Sequence, residues 1–185
     1  MPSWGSINTF NLCNMKIFSR LLIVSFCLLG AVSLQAQEKH VLDLEHIYNP
    51  AADAAADLKA AQQEAAAANK HIFIQVGGNW CIWCKRFYKF TEEDSTLKSL
   101  LNKNFVVYHL NYSKENKNLP ILQKLGYPQR FGFPVIVILD AKGNRLHTQD
   151  SGLLESADSY DQKKIAALLK QWGPDAMNPA HYVNQ

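Results

Sequence analysis

Two cysteines separated by two residues, Cys81-Ile82-Trp83-Cys84, are the part of this 185-residue sequence best suited to chemistry. A pair so closely spaced staples almost no loop, so a disulfide between them adds little chain-entropy stabilisation. What it does offer is a reversible two-electron couple, in which one thiolate attacks a partner's disulfide and the other resolves the mixed disulfide. Forming the thiolate needs a favourable field, which the start of a helix supplies through unpaired N–H groups and its macrodipole. The sequence provides that setting. His71-Ile-Phe-Ile-Gln-Val76 is a nearly continuous apolar run, as expected of a strand buried on both faces. Gly77-Gly78-Asn79 breaks it, and a helical stretch starts at Trp80-Cys81. Cys81 then falls at a helix N-terminus, with Cys84 one turn on and more buried.

The elements around the pair follow from composition and period. Ala51 to Asn69 is rich in alanine and other strong helix formers, with Asn49 or Asp53 available as its cap. The helical pattern after the cysteines runs through Phe90 and resumes from Ser95 to Asn102. Phe105 to Leu110 reads as a second strand and Leu119 to Leu125 as a short helix stopped by Gly126 and Pro128. Pro134 to Leu139 is a third strand, and Asp140-Ala-Lys-Gly-Asn144 is a turn returning it along Arg145 to Gln149. Ile165, Ala166, Leu168, Leu169 and Trp172 mark one face of a terminal helix between Tyr160 and Trp172, which Gly173-Pro174 ends. The order predicts an α/β fold: a central mixed sheet flanked by helices, its first two strands parallel and a hairpin at its edge.

The cysteines also depend on where the chain goes. Lys16 and Arg20 precede an apolar run from Leu21 to Leu34 that closes on Ala36 before polar residues, the pattern of a secretory signal peptide. The run is shorter than the roughly 20 apolar residues a bilayer span requires. Removal of residues 1–36 would take Cys13 and Cys27 with it, leaving Cys81 and Cys84 as the remaining thiols, in a compartment where disulfides persist. Met15 is an alternative start, and the bulky Phe26 argues against a lipid anchor at Cys27. The remainder divides into a lead-in (37–50), one domain (51–172) and a tail (173–185). Losing Lys16 and Arg20 lowers the formal charge from +3 to +1, too weak a bias to expect nucleic acid as a partner. Stable membrane insertion after cleavage is likewise not expected.

The segment Lys70 to Lys85, with its Trp80-Cys-x-x-Cys84-Lys85 core, resembles the active-site segment of thioredoxin-family proteins. The similarity continues at Gly132-Phe133-Pro134-Val135 and Asp140 to Asn144, and spans about Ala51 to Leu169. It looks most like the exported thioredoxin-like proteins of Gram-negative bacteria. The resemblance implies a thioredoxin fold with an N-terminal helical extension, and a periplasmic thiol–disulfide oxidoreductase. Cys81 would be the nucleophile and Cys84 the resolving thiol, joined as a redox-active disulfide. Trp80 would flank the nucleophile. Pro134 would be the family's cis-proline, letting the backbone of Phe133 pair with an extended substrate segment. No cofactor or metal is implied. Partners would be exported proteins with thiols or disulfides, and a reductase would draw electrons from a membrane donor.

Two positions depart from the family. Thioredoxins carry a buried acid six residues before the first cysteine, which helps deprotonate the second; here that position is Gln75. Between the cysteines stands Ile82-Trp83, where thioredoxin has Gly-Pro and the strong periplasmic oxidant has Pro-His. The missing histidine leans the reading toward reductase over oxidase or isomerase. Trp83 is either a contact for partner proteins or packs against the tail or the first helix. Two rivals remain at this level. A closed zinc site needs four ligands, which two cysteines and histidines without paired spacing do not supply. A thioredoxin fold that binds a partner without turning over is the alternative that Gln75 favours.

Overall fold

Alternation along one strand decides how the domain is layered. β1 (His71–Gly77) is buried along all but its first residue, so each of its faces must be covered. Ile72, Ile74 and Val76 point to one side, where α1 (Ala54–Ala68) brings Ala54, Ala61 and Ala65. The small residues of α1 let its backbone come close, which accounts for an alanine-rich helix at this place. Asp53 caps it, accepting hydrogen bonds from the N–H groups of Ala55 and Ala56 at 3.0 and 3.1 Å. Phe73 points the other way, into a second cluster with Phe87 of α2 (Ile82–Glu93), Leu97 and Leu101 of α3 (Ser95–Asn104), and the terminal helix α5 (Gln162–Gln171).

The structure, a computed structural model, describes residues 41–183. The expected signal peptide, Cys13 and Cys27 lie outside the described residues. The described residues from Leu42 onward make one compact unit. Its four-stranded sheet runs in the order β2-β1-β3-β4, with β2 at Phe105–Asn111, β3 at Val135–Leu139 and β4 at Arg145–Asp150. β2 is parallel to β1, and β3 is antiparallel to both β1 and β4. The mixed sheet with a hairpin edge is therefore as the sequence predicts. The hairpin turn is held by Asp140 Oδ1, which accepts from the N–H groups of Lys142 and Asn144, both at 2.8 Å. A short helix α4 (Leu119–Lys124) adds Ile121 and Leu122 to the α1 side of the core.

One element has no counterpart in the sequence reading. A two-stranded hairpin, β5 (Glu155–Ser156) and β6 (Ser159–Tyr160), sits between β4 and α5 and inserts Tyr160 into the cluster around Phe87. Among the described residues no helix is long and apolar enough to cross a membrane.

Candidate active site at the start of helix α2

β1 ends at Gly77, and the three residues that follow turn the chain so that Cys81 becomes the N-cap of α2. The turn closes with the Cys81 N–H donating to the carbonyl of Gly78 at 3.0 Å. Both glycines are required by close approach. A Cβ on Gly77 would stand 2.5 Å from Cys84 Sγ and 2.7 Å from Tyr48 Oη, and one on Gly78 would collide with the Trp80 indole. As N-cap, Cys81 accepts the Cys84 N–H on its sulfur at 3.1 Å. This is the position where an anion gains most from the helix end, so a thiolate formed at Cys81 is favoured there.

Cys81 and Cys84 are joined in a disulfide. Cys84 is fully buried and Cys81 is 5 % exposed, so the approach to the bond is from the Cys81 side, as the helix-start reading requires. The other residues expected at the site gather around it. Phe133-Pro134 is a cis peptide bond, and Phe133 packs against the disulfide cluster. Trp80 is well exposed, and its indole N–H donates to the Tyr112 carbonyl at 2.7 Å. It meets the Phe133 ring edge-on at 5.4 Å, while Tyr112 lies 4.8 Å from the same ring. An aromatic wall thus stands beside the disulfide. Ile82, 58 % exposed, extends the apolar surface on the cysteine side. A cavity of about 620 Å³, lined by Pro50, Trp80, Tyr112 and Lys117 among others, opens against Trp80.

Trp83 packs against both the disulfide cluster and the cluster around Phe87. Its ring stands edge-on to Tyr160 of β6 at 5.7 Å, and the Arg86 guanidinium lies 4.7 Å above it. The partner is therefore the unforeseen hairpin, neither the tail nor the first helix. Half-buried in this way, Trp83 braces α2.

Beneath the disulfide lies what the sequence reading missed. The lead-in carries Tyr48 into the core, where it is 2 % exposed and packs against both cysteines. Its backbone is clamped by Asn79: the Tyr48 N–H donates to Asn79 Oδ1 at 2.9 Å, and Asn79 Nδ2 donates back to the Tyr48 carbonyl at 2.8 Å. Lys85 of α2 holds the same segment through an ion pair with Glu45 at 2.7 Å. Gln75, on the α2 side of β1, donates from Nε2 to Tyr48 Oη at 2.6 Å and to the Cys84 carbonyl at 3.1 Å. His109, paired with Gln75 across the β1–β2 register, stands edge-on between the rings of Tyr48 and Tyr88. Burial holds its pKa down to about 4, so it is neutral at working pH. The only signal for Tyr48 in the sequence is a single large aromatic in a polar stretch, five residues before a helix cap.

This geometry defines a class. Residues 53–141 match the family described as thioredoxin-like, and the chain carries a thioredoxin-like domain. No curated protein sequence matches it. Among solved structures it is similar to a disulphide isomerase from Xylella fastidiosa Temecula1, at 25 % identity over 71 % of this chain and 98 % of that one, with a TM-score of 0.61. Two further likenesses are looser. One is to the C-terminal domain of DsbD from Neisseria meningitidis in its oxidised form (17 % identity, 65 % and 97 % coverage, TM-score 0.49). The other is to a DsbH oxidoreductase (18 % identity, 60 % and 79 % coverage, TM-score 0.43). A thioredoxin-like domain with a Cys-x-x-Cys disulfide capping its first post-strand helix is the arrangement of a thiol–disulfide oxidoreductase.

Proposed function

We propose that the protein is a periplasmic thiol–disulfide oxidoreductase that acts on exported proteins, working as a reductase fed by a membrane electron donor. The observation that carries this reading is the Cys81–Cys84 disulfide at the N-cap of α2, with Cys84 fully buried behind Cys81. In the reducing direction the Cys81 thiolate attacks a sulfur of the partner's disulfide, forming a Cys81–partner bond and expelling one partner thiolate. Cys84, as thiolate, then attacks Cys81 Sγ and expels the second. Two electrons pass from the cysteine pair to the partner, and each released thiolate takes up a proton from solvent.

The neighbouring residues suit the approach of an extended protein segment. Phe133 precedes the sheet ladder, which begins at Val135 paired to Val76 and Asp150, so its backbone stands beside the disulfide and outside the strand pairing. A substrate segment laid along Phe133 and Pro134 would pair with backbone that neither neighbouring strand covers and rest its apolar side chains on Trp80. Trp83 contributes to binding by holding the N-terminal turn of α2 in place. Export rests on the basic and apolar pattern of residues 16–36. The reducing direction rests on Ile82-Trp83, which lacks the histidine of the strong oxidant.

The test is the reduction potential of the couple, measured by equilibrating the protein with glutathione buffers. The expected value lies near that of thioredoxin, about −270 mV. A value near about −120 mV would make the protein a disulfide donor and reverse the direction proposed.

A further inference from the structure

Opening the disulfide leaves a sulfur with nowhere to put its charge. Cys84 Sγ becomes a thiolate at each pass through the mixed disulfide, and it does so at a position with no solvent exposure. A buried anion without a hydrogen-bond donor is strongly disfavoured. In thioredoxins a buried acid serves this sulfur; here the corresponding residue is Gln75, which does not exchange a proton. We propose that the Tyr48 hydroxyl, oriented by Gln75, is the hydrogen-bond donor that steadies the Cys84 thiolate when the Cys81–Cys84 bond opens. The inference rests on the oxidoreductase reading above and names the positioning residue that lets Cys84 act in it.

Three observations carry it. Tyr48 Oη and Cys84 Sγ face the same space, the one left free by the absence of a Cβ on Gly77, at 2.7 and 2.5 Å from where that atom would stand. Tyr48 Oη already accepts the Gln75 amide at 2.6 Å, which leaves its own hydrogen to be donated. The Asn79 clamp on both backbone groups of Tyr48 fixes the ring against the cysteines. Burial also pushes the phenol far above its usual range, so across working pH the group stays O–H: a donor to the sulfur and not a base toward it.

The other titratable groups around this spot do not fill the role. His109 of β2 is neutral and sits edge-on to Tyr48. Tyr88 and Glu92 of α2 are directed toward His109 and the α3 side, where Glu92 pairs with Lys98. Lys85 is engaged by Glu45, and Asp43 by His46, both in the lead-in. Tyr160 of β6 donates to the Trp83 carbonyl.

The experiment is rapid-quench oxidation of the reduced protein, residues 37–185, by glutathione disulfide across pH. It separates glutathione attachment at Cys81 from its release by Cys84. Tyr48→Phe is expected to raise the pH midpoint of the release step by about one unit, since a hydrogen bond to a charged group is worth roughly that much. Release at neutral pH then slows about tenfold, attachment at Cys81 is unchanged, and the two proteins converge at high pH. Gln75→Leu, which keeps the hydroxyl but removes the amide that orients it, is expected to shift the midpoint the same way by less. A Tyr48→Phe midpoint equal to the wild type would overturn the inference, even if its release were slower at every pH. Should that variant fail to fold, an unshifted Gln75→Leu midpoint overturns it instead. A wild type that never attaches glutathione would sink the oxidoreductase reading, and the inference with it.

Discussion

Replacing Cys81 with serine removes turnover of a protein disulfide down to the uncatalysed rate while the fold is kept. The two halves of this expectation have separate causes. Serine is among the best N-cap residues, and its Oγ can accept the Cys84 N–H that Cys81 Sγ now receives at 3.1 Å, so α2 keeps its first turn. A hydroxyl at that place is no nucleophile toward a disulfide, and no other thiol in residues 37–185 can substitute, because Cys84 is buried. The measurement is the reduction rate of a model protein disulfide beside a thermal melt of the same variant. A non-catalytic binding module would lose neither its partner nor any measurable activity on this change, so the result also divides the two readings of the sequence.

Phe87→Ala is the largest expected loss of stability from a single residue close to the site. Phe87 is 1 % exposed and lies one turn beyond Cys84 on the buried side of α2. It stacks on Phe73 of β1 at 6.2 Å between ring centres and meets Tyr160 of β6 edge-on at 5.0 Å. Three elements therefore converge on one ring, and truncation leaves a cavity that backbone fixed by a sheet cannot close. Such replacements cost about 3–5 kcal/mol. That is a large part of the 5–15 kcal/mol typical of a whole domain. The urea midpoint should fall accordingly in both oxidised and reduced protein, since the short cysteine loop adds little chain-entropy stabilisation to offset it. A midpoint close to wild type would mean that α2 is held chiefly by Trp83 and Arg86.

What could be read in advance was what local pattern determines. The run from Ile72 to Val76 announces burial on both faces, the glycine pair announces a close approach, and Asp140 to Asn144 announces its turn. Pro134 could be assigned only by resemblance, since a proline opening a strand is ordinary by itself. The unread parts depend on contacts between distant segments. β5 and β6 have two residues each, too few for any period to show. Without that hairpin the partner of Trp83 could not be identified. Tyr48 is the sharper case: nothing about one tyrosine in a polar lead-in says that Asn79, 31 residues away, will clamp it under the disulfide. Gln75 was visible as a departure, but not the hydroxyl it holds.

The central claim is that Cys81 attacks the disulfides of exported proteins and Cys84 releases them. The most direct measurement is capture by Cys84→Ser, which leaves the attacking thiol and removes the one that resolves. The account predicts covalent complexes between this variant and exported proteins, linked through Cys81, dissolved by reductant and absent when Cys81 is also serine. A folded Cys84→Ser protein that retains a free Cys81 thiol and accumulates no such complex would contradict it.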